Sequence, residues 1–150
     1  MTHVLFVCTG NTCRSPMAEA ILRSKEIPGI EVKSAGVYAL DGNDASENTK
    51  RVLKEQGLLQ NHQATLLNES LVDWTSYILT MTKSHKDIII GTFPNAVGKT
   101  FTMKEFAGVI GNSDITDPFG GPIEVYRNTF NEMNETILKM IHRLQSEKKN

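Results

Sequence analysis

Cys8 and Arg14, with five residues between them, are the two side chains of this sequence with the clearest capacity for chemistry. They lie in Val4-Leu5-Phe6-Val7-Cys8-Thr9-Gly10-Asn11-Thr12-Cys13-Arg14-Ser15-Pro16. The spacing lets the chain curl so that successive backbone N–H groups point inward, and a concave ring of amides at a helix start is an anion site. That environment favours thiolate over thiol at Cys8 and so makes it a nucleophile. Arg14 can grip two phosphate oxygens through its planar fork. Gly10 and Asn11 are residue types that accept left-handed backbone angles, which such a loop needs. The alternative is a buried thiol in a tight strand-to-helix turn beside a solvated arginine. A nucleotide-binding P-loop fits worse, because this loop lacks Gly-Lys-Ser/Thr and Cys8 would have no task in it.

Positioning this loop requires a strand before it and a helix after it. Val4 to Val7 is an apolar, β-branched and aromatic run of the kind a central parallel strand shows when both faces are covered. Pro16 suits a first helical turn, with Ser15 as the N-cap, and a helix is expected over Pro16 to Lys25 with Met17, Ala18, Ile21 and Leu22 on its inner face. Ile30 to Ser34 reads as a second strand ending at Ala35-Gly36. The loop from Val37 to Asp44, with Tyr38 and Leu40, is expected to overhang the pocket, since parallel sheets place ligands at the carboxyl ends of their strands. Tyr38 as a half-exposed packing residue is the competing reading.

Further on, Ala45 to Gln56 predicts a helix stopped by Gly57, with Val52 and Leu53 inward. Asn61 to Asn68 is irregular, and Glu69 to Trp74 is a short helical piece whose tryptophan anchors packing. Tyr77 to Met81 is a strand and Lys83 to Ile90 a helix, with His85 at its start as a capping or solvated imidazole in preference to a catalytic one. Lys99 to Thr102 is a short fourth strand, and Met103 to Phe106 is ambiguous. Asp117-Pro118-Phe119-Gly120-Gly121 is an exposed, mobile segment. From Ile123, the apolar residues Tyr126, Phe130, Met133, Ile137, Met140, Ile141 and Leu144 recur at three- and four-residue steps, so a long helix closes the chain. Strand-helix alternation of this kind builds a parallel α/β sheet with helices on both faces.

The loop Cys8-Thr9-Gly10-Asn11-Thr12-Cys13-Arg14-Ser15-Pro16-Met17-Ala18-Glu19 resembles the active-site loop of the low-molecular-weight protein tyrosine phosphatase family, and within it the bacterial protein arginine phosphatases. Ser34-Ala35-Gly36, Ile78 to His85 and Asp117 to Gly121 recur in the expected order, so the resemblance spans nearly the whole chain. It implies a three-layer open sheet of four parallel strands in order 2-1-3-4. That order would set Cys8 at the switch point between the first and third strands.

The resemblance also implies roles. Cys8 attacks phosphorus, Asp117 of the Asp-Pro motif protonates the departing atom and later deprotonates water, and Arg14 with the amides of Thr9 to Arg14 holds the equatorial oxygens. Ser15 donates to the Cys8 sulfur, and Asn11 fixes the loop. Thr9, Gly10, Asn11, Thr12, Cys13, Ser15 and Phe119 are thus the expected substrate-binding set. Tyrosine-directed members usually carry a larger apolar residue at the position of Thr12, and paired aromatics after Asp-Pro where Phe119 stands here. Phosphoarginine is therefore the expected substrate and phosphotyrosine the alternative. Cys8 and Cys13 share one small loop, so either a reversible disulfide forms between them or Cys13 packs beneath it. A phosphate-binding or phosphocarrier module remains a more remote alternative. Thiol-linked arsenate reduction would need further cysteines downstream, and none follows Cys13.

Composition bounds the rest. One hundred and fifty residues with 39% hydrophobic content suit one domain over 1–150 with a two-sided core. With 16 basic and 17 acidic residues intermixed, the formal charge of -1 leaves no nucleic-acid footprint. The apolar run before Thr9 is too short for a signal peptide or membrane span, so a cytoplasmic protein, a monomer acting on phosphorylated proteins, is expected. Two cysteines inside one loop argue against a zinc site, and no metal or cofactor is expected. Lys148-Lys149 reads as a solvated end.

Overall fold

The computed structural model describes residues 1–148, and Lys149 of the expected solvated end lies outside them. Four parallel strands, β1 (Thr2–Cys8), β2 (Ile30–Gly36), β3 (Tyr77–Thr80) and β4 (Thr100–Thr102), form a sheet in the order β2-β1-β3-β4. The order is the one the resemblance implies. β1 pairs on both sides, with Phe6 opposite Ser34 and Leu79, and Cys8 opposite Gly36 at the carboxyl edge. Its alternation divides the core. Val4, Phe6 and Cys8 face one layer, with Met17, Ile21, Met133 and Ile137, whereas Leu5 and Val7 face another with Val72, Ile78 and Ile89. Each fully buried side chain of this size contributes about 2 kcal/mol against exposure.

Helix α1 (Arg14–Ser24) starts two residues before the expected Pro16, and Cys13 rather than Ser15 is the residue at its N-cap. The reason is that the Ser15 hydroxyl points back to Cys8, so it does not close the helix end. Helix α2 (Glu47–Glu55) is capped by Ser46, and Gly57 at φ 71 ends it by taking a left-handed conformation. Helices α3 (Glu69–Trp74) and α4 (Lys83–Thr92) have side-chain caps from Asn68 and Thr82. A 3₁₀ helix, Pro94–Lys99, leads into β4 and takes up Lys99, the residue expected to open that strand. The ambiguous Met103–Phe106 is α5, a single turn held by a capping box between Thr102 and Glu105. Helix α6 (Ile123–Lys148) then packs along α1, α2 and α5.

Candidate active site

The loop between β1 and α1 is held from outside by its carbonyls. Those of Cys8 and Thr9 accept from the backbone N–H groups of Val37 (3.0 Å) and Tyr38 (2.9 Å), and that of Thr12 from Ser46 (2.9 Å). The Asn11 carbonyl accepts from His62 Nε2 at 2.7 Å, and the Cys13 carbonyl from Met17 N–H. In a trans peptide the N–H lies opposite the carbonyl, so turning these oxygens outward directs the amides of Thr9, Gly10, Thr12, Cys13 and Arg14 to the inner side. That inner side opens on a cavity of about 240 Å³ lined by Cys8, Thr9, Gly10, Thr12, Cys13, Arg14, Asp117 and Phe119.

Asn11, at φ 56, is the loop residue in the left-handed region; Gly10, expected to share that role, does not use it. Asn11 tolerates the conformation because its side chain is bonded on every side. Nδ2 donates to Ser15 Oγ (2.7 Å) and Ser34 Oγ (3.0 Å), and Oδ1 accepts from Thr65 N–H (3.0 Å). Ser34 in turn donates to Glu19, whose carboxylate pairs with Arg23 at 2.6 Å. Asn11 and Ser15 are fully buried beneath the loop, outside the cavity wall. Ser15 Oγ accepts from Asn11 and has two acceptors within reach of its own proton, Cys8 Sγ at 2.8 Å and the Ala35 carbonyl at 3.5 Å, of which the sulfur is the nearer.

Arg14 is 5% exposed, an unusual burial for a guanidinium, and it is satisfied there. Nη1 donates to the Ile115 carbonyl at 3.0 Å, and Nη2 lies 3.6 Å from Asp117 Oδ2. Asp117 has a largely exposed side chain, and its other oxygen accepts from Phe119 N–H at 3.1 Å, closing a turn in the Asp117 to Gly121 segment. Phe119 is 77% exposed at the rim. Cys13 Sγ sits between Ser46 Oγ (3.5 Å) and Tyr126 OH (3.6 Å), whose pKa is raised by burial and by the Cys13 contact.

Of the seven expected binding residues, Thr9, Gly10, Thr12, Cys13 and Phe119 line the cavity with Cys8, Arg14 and Asp117, and Asn11 and Ser15 lie buried under the loop. Two expectations need correction. The loop from Val37 to Asp44 runs beside the site through backbone bonds, but Tyr38 and Leu40 point to solvent and do not line the cavity. His85 is neither a cap nor solvated: it is buried, its backbone N–H is capped by Thr82, and its Nε2 reaches Thr9 Oγ1 at 2.8 Å. Burial, then the nearby Arg14 charge, pushes its pKa down to about 4. Sequence reasoning passed over Ser34, His62, Thr65 and Ile115 as supports of the loop. The small-residue run Ser34-Ala35-Gly36 carried a signal for the first, since only small residues admit a loop so close. Among the described residues, no group of three or more His, Cys, Asp or Glu side chains is placed to hold a metal ion.

Comparison with known proteins gives concordant results. Residues 3–150 match the family model described as low molecular weight phosphotyrosine protein phosphatase. A protein-arginine-phosphatase of Geobacillus stearothermophilus is 52% identical over 145 residues, 97% of each chain. The low molecular weight protein-tyrosine-phosphatase PtpB of Staphylococcus haemolyticus (strain JCSC1435) is 38% identical, over 96% of this chain and 98% of that one. The solved structure of YwlE arginine phosphatase from Geobacillus stearothermophilus superposes with a TM-score of 0.94 at 50% identity, covering 98% of this chain and 95% of that one.

Proposed function

The chain belongs to the low molecular weight phosphotyrosine protein phosphatase family, and from that membership we propose that it hydrolyses phosphoarginine in proteins through a phosphocysteine intermediate. The observation that carries the reading is the meeting of Cys8, Arg14, Asp117 and inward-facing amides at one cavity. Cys8 Sγ attacks phosphorus and forms the S–P bond as the P–N bond breaks, and Asp117 gives its proton to the leaving nitrogen. Water then attacks phosphorus, Asp117 takes the proton, the S–P bond breaks and phosphate leaves with the thiolate restored. Arg14 and the amides hold the three equatorial oxygens, where charge spreads during both transfers. Their positions are set before substrate arrives, because Ile115 anchors the guanidinium and outside donors anchor the carbonyls.

Arginine is preferred over tyrosine as the substrate side chain on two counts. Half-buried Thr12 presents a short polar wall that leaves room for a guanidinium without stranding its donors against hydrocarbon. Asp117 can pair with that guanidinium, and Phe119 can cover its face by cation–π contact. Phosphotyrosine is the second reading, favoured by the same Phe119, whose ring would equally flank a phenol. The protein-arginine-phosphatase relative supports the first and the PtpB relative the second.

The deciding experiment is steady-state hydrolysis of a phosphoarginine protein and a phosphotyrosine peptide by the same preparation, with Cys8→Ser as control. A kcat/KM at least tenfold higher on phosphoarginine, abolished by Cys8→Ser, is the expected result. A preference for phosphotyrosine would move the assignment to the second reading, and turnover surviving Cys8→Ser would end both.

A further inference from the structure

Thr9 and His85 come from different elements and meet beside the nucleophile. Thr9 follows Cys8 directly and lines the cavity, while His85 stands in the first turn of α4, 6% exposed. Nε2 of His85 lies 2.8 Å from Thr9 Oγ1, and its Nδ1 is buried with no hydrogen-bond partner among the described residues. A neutral imidazole carries one N–H. If that hydrogen were on Nδ1, a donor would be buried with nothing to receive it; on Nε2 it is satisfied by Thr9, and only a lone pair goes unused. The imidazole is neutral above pH 4 or so, so this choice governs the working enzyme. With Nε2–H donating to Oγ1, the Thr9 hydroxyl must aim its own proton elsewhere. Thr9 is exposed and lines the cavity, where an acceptor can meet that proton.

We propose that His85 is a positioning residue that fixes the Thr9 hydroxyl as a hydrogen-bond donor toward the phosphoryl group held over Cys8. The inference rests on the phosphatase reading and adds one donor to the amides and Arg14. Packing alone does not account for an imidazole here. Helix α4 is already started by the Thr82 cap and by Asp114, which accepts from Lys83 N–H, and Ile89 anchors it in the core. A hydrocarbon at position 85 would fill the same buried space without an unsatisfied ring nitrogen.

The test is a double-mutant cycle of Thr9→Val and His85→Leu, with His85→Gln as the conservative variant, since a glutamine amide can donate where Nε2–H does. On p-nitrophenyl phosphate and on a phosphoarginine protein, each single change is expected to lower kcat/KM about tenfold and to weaken vanadate inhibition in parallel. The double variant falls no further than the singles, and His85→Gln recovers most of the loss. Thr9→Val within twofold of wild type, losses that multiply in the double variant, or Gln no better than Leu would each overturn the proposal. If His85→Leu does not fold, Thr9→Val and His85→Gln still decide. Wild-type turnover that Cys8→Ser abolishes upholds the phosphatase reading whichever way the cycle falls.

Discussion

Arg14 Nη2 lies 3.6 Å from Asp117 Oδ2, and the two partners are held very unequally. The guanidinium is buried and pinned to the Ile115 carbonyl, whereas the carboxylate is 57% exposed on the segment before α6. In the proposed reaction a phosphoryl dianion entering the cavity would have the stronger claim on the fixed cation and would displace the carboxylate toward the leaving atom, where an acid is needed.

Asp117→Asn is therefore expected to lower kcat on a phosphorylated protein by about 10²- to 10³-fold, the range for loss of a positioned acid. On p-nitrophenyl phosphate, whose leaving group needs little protonation, the loss shrinks. Vanadate and inorganic phosphate should bind as tightly as to wild type or a little more tightly, since a competing carboxylate is gone. Steady-state kinetics with inhibitor titration read all three. In a phosphate-binding or carrier module oxyanion affinity would respond in the same way, but there would be no dependence of turnover on Asp117.

Gly36 lies opposite Cys8 in the sheet, directly under the loop. A Cβ there would run into the Thr9 carbonyl oxygen and stand 2.9 Å from Asn11 N, backbone atoms that cannot swing aside, and 3.0 Å from Ala39 Cβ, which has no rotamer to escape by. Gly36→Ala is expected to push the loop away from its outside anchors, cutting turnover at least tenfold and stability by about 1–3 kcal/mol. Kinetics alongside urea unfolding check both. A variant with wild-type turnover would mean that the loop has slack the geometry denies.

His85 gives the fold a pH dependence of definite sign. Its pKa is about 4 in the folded protein and 6.5 in an unfolded chain, so between those values only the unfolded state takes up the proton. Stability falls as pH is lowered through that window, by about 2 kcal/mol between pH 7 and 5 from this group. Urea unfolding at both pH values should show wild type losing that much more than His85→Gln on acidification. Equal losses would place the proton uptake on other groups.

What the sequence made legible was local. Cys8, Arg14, Ser15 and the start of α1 fall within one stretch of eight residues, so spacing alone carried the loop, and the apolar run of β1 carried its place in the sheet. The supports that fix this loop are distant in sequence. His62 reaches Asn11, Ile115 holds Arg14 from 101 residues away, and His85 meets Thr9 across 76. No periodicity or turn signal encodes such pairings, which exist only once β2, β3 and the segment before α6 converge at the carboxyl edge of the sheet. The misplaced start of α1 has the same origin, because Ser15 looked like a cap until Cys8 and Asn11 claimed its hydroxyl.

Cys8 and Cys13 are both free, buried thiols lining one cavity. Mild peroxide is expected to oxidise Cys8 and let Cys13 displace the resulting sulfenic hydroxyl, giving a disulfide that thiol reverses. Intact mass should show a loss of two hydrogens in wild type and stable added oxygen in Cys13→Ser. If wild-type Cys8 goes on to sulfinic acid, Cys13 serves only to pack under the loop against Ser46 and Tyr126.

Thr12 tests the choice of substrate. It is half-buried, its carbonyl is tied to Ser46 N–H, and its side chain joins the cavity wall with its hydroxyl 3.8 Å from Cys13 Sγ, so its backbone is fixed while its side chain stands where substrate would enter. Isoleucine keeps the β-branch, so Thr12→Ile changes polarity and length at the wall with little cost to the loop. A planar, charged guanidinium then faces hydrocarbon that its donors cannot use, while a phenyl ring gains contact area. Phosphoarginine hydrolysis should fall about tenfold or more in kcat/KM, with phosphotyrosine hydrolysis equal or improved. Parallel losses on both substrates would instead assign Thr12 to loop integrity, and the preference for arginine would then rest on Asp117 and Phe119 alone.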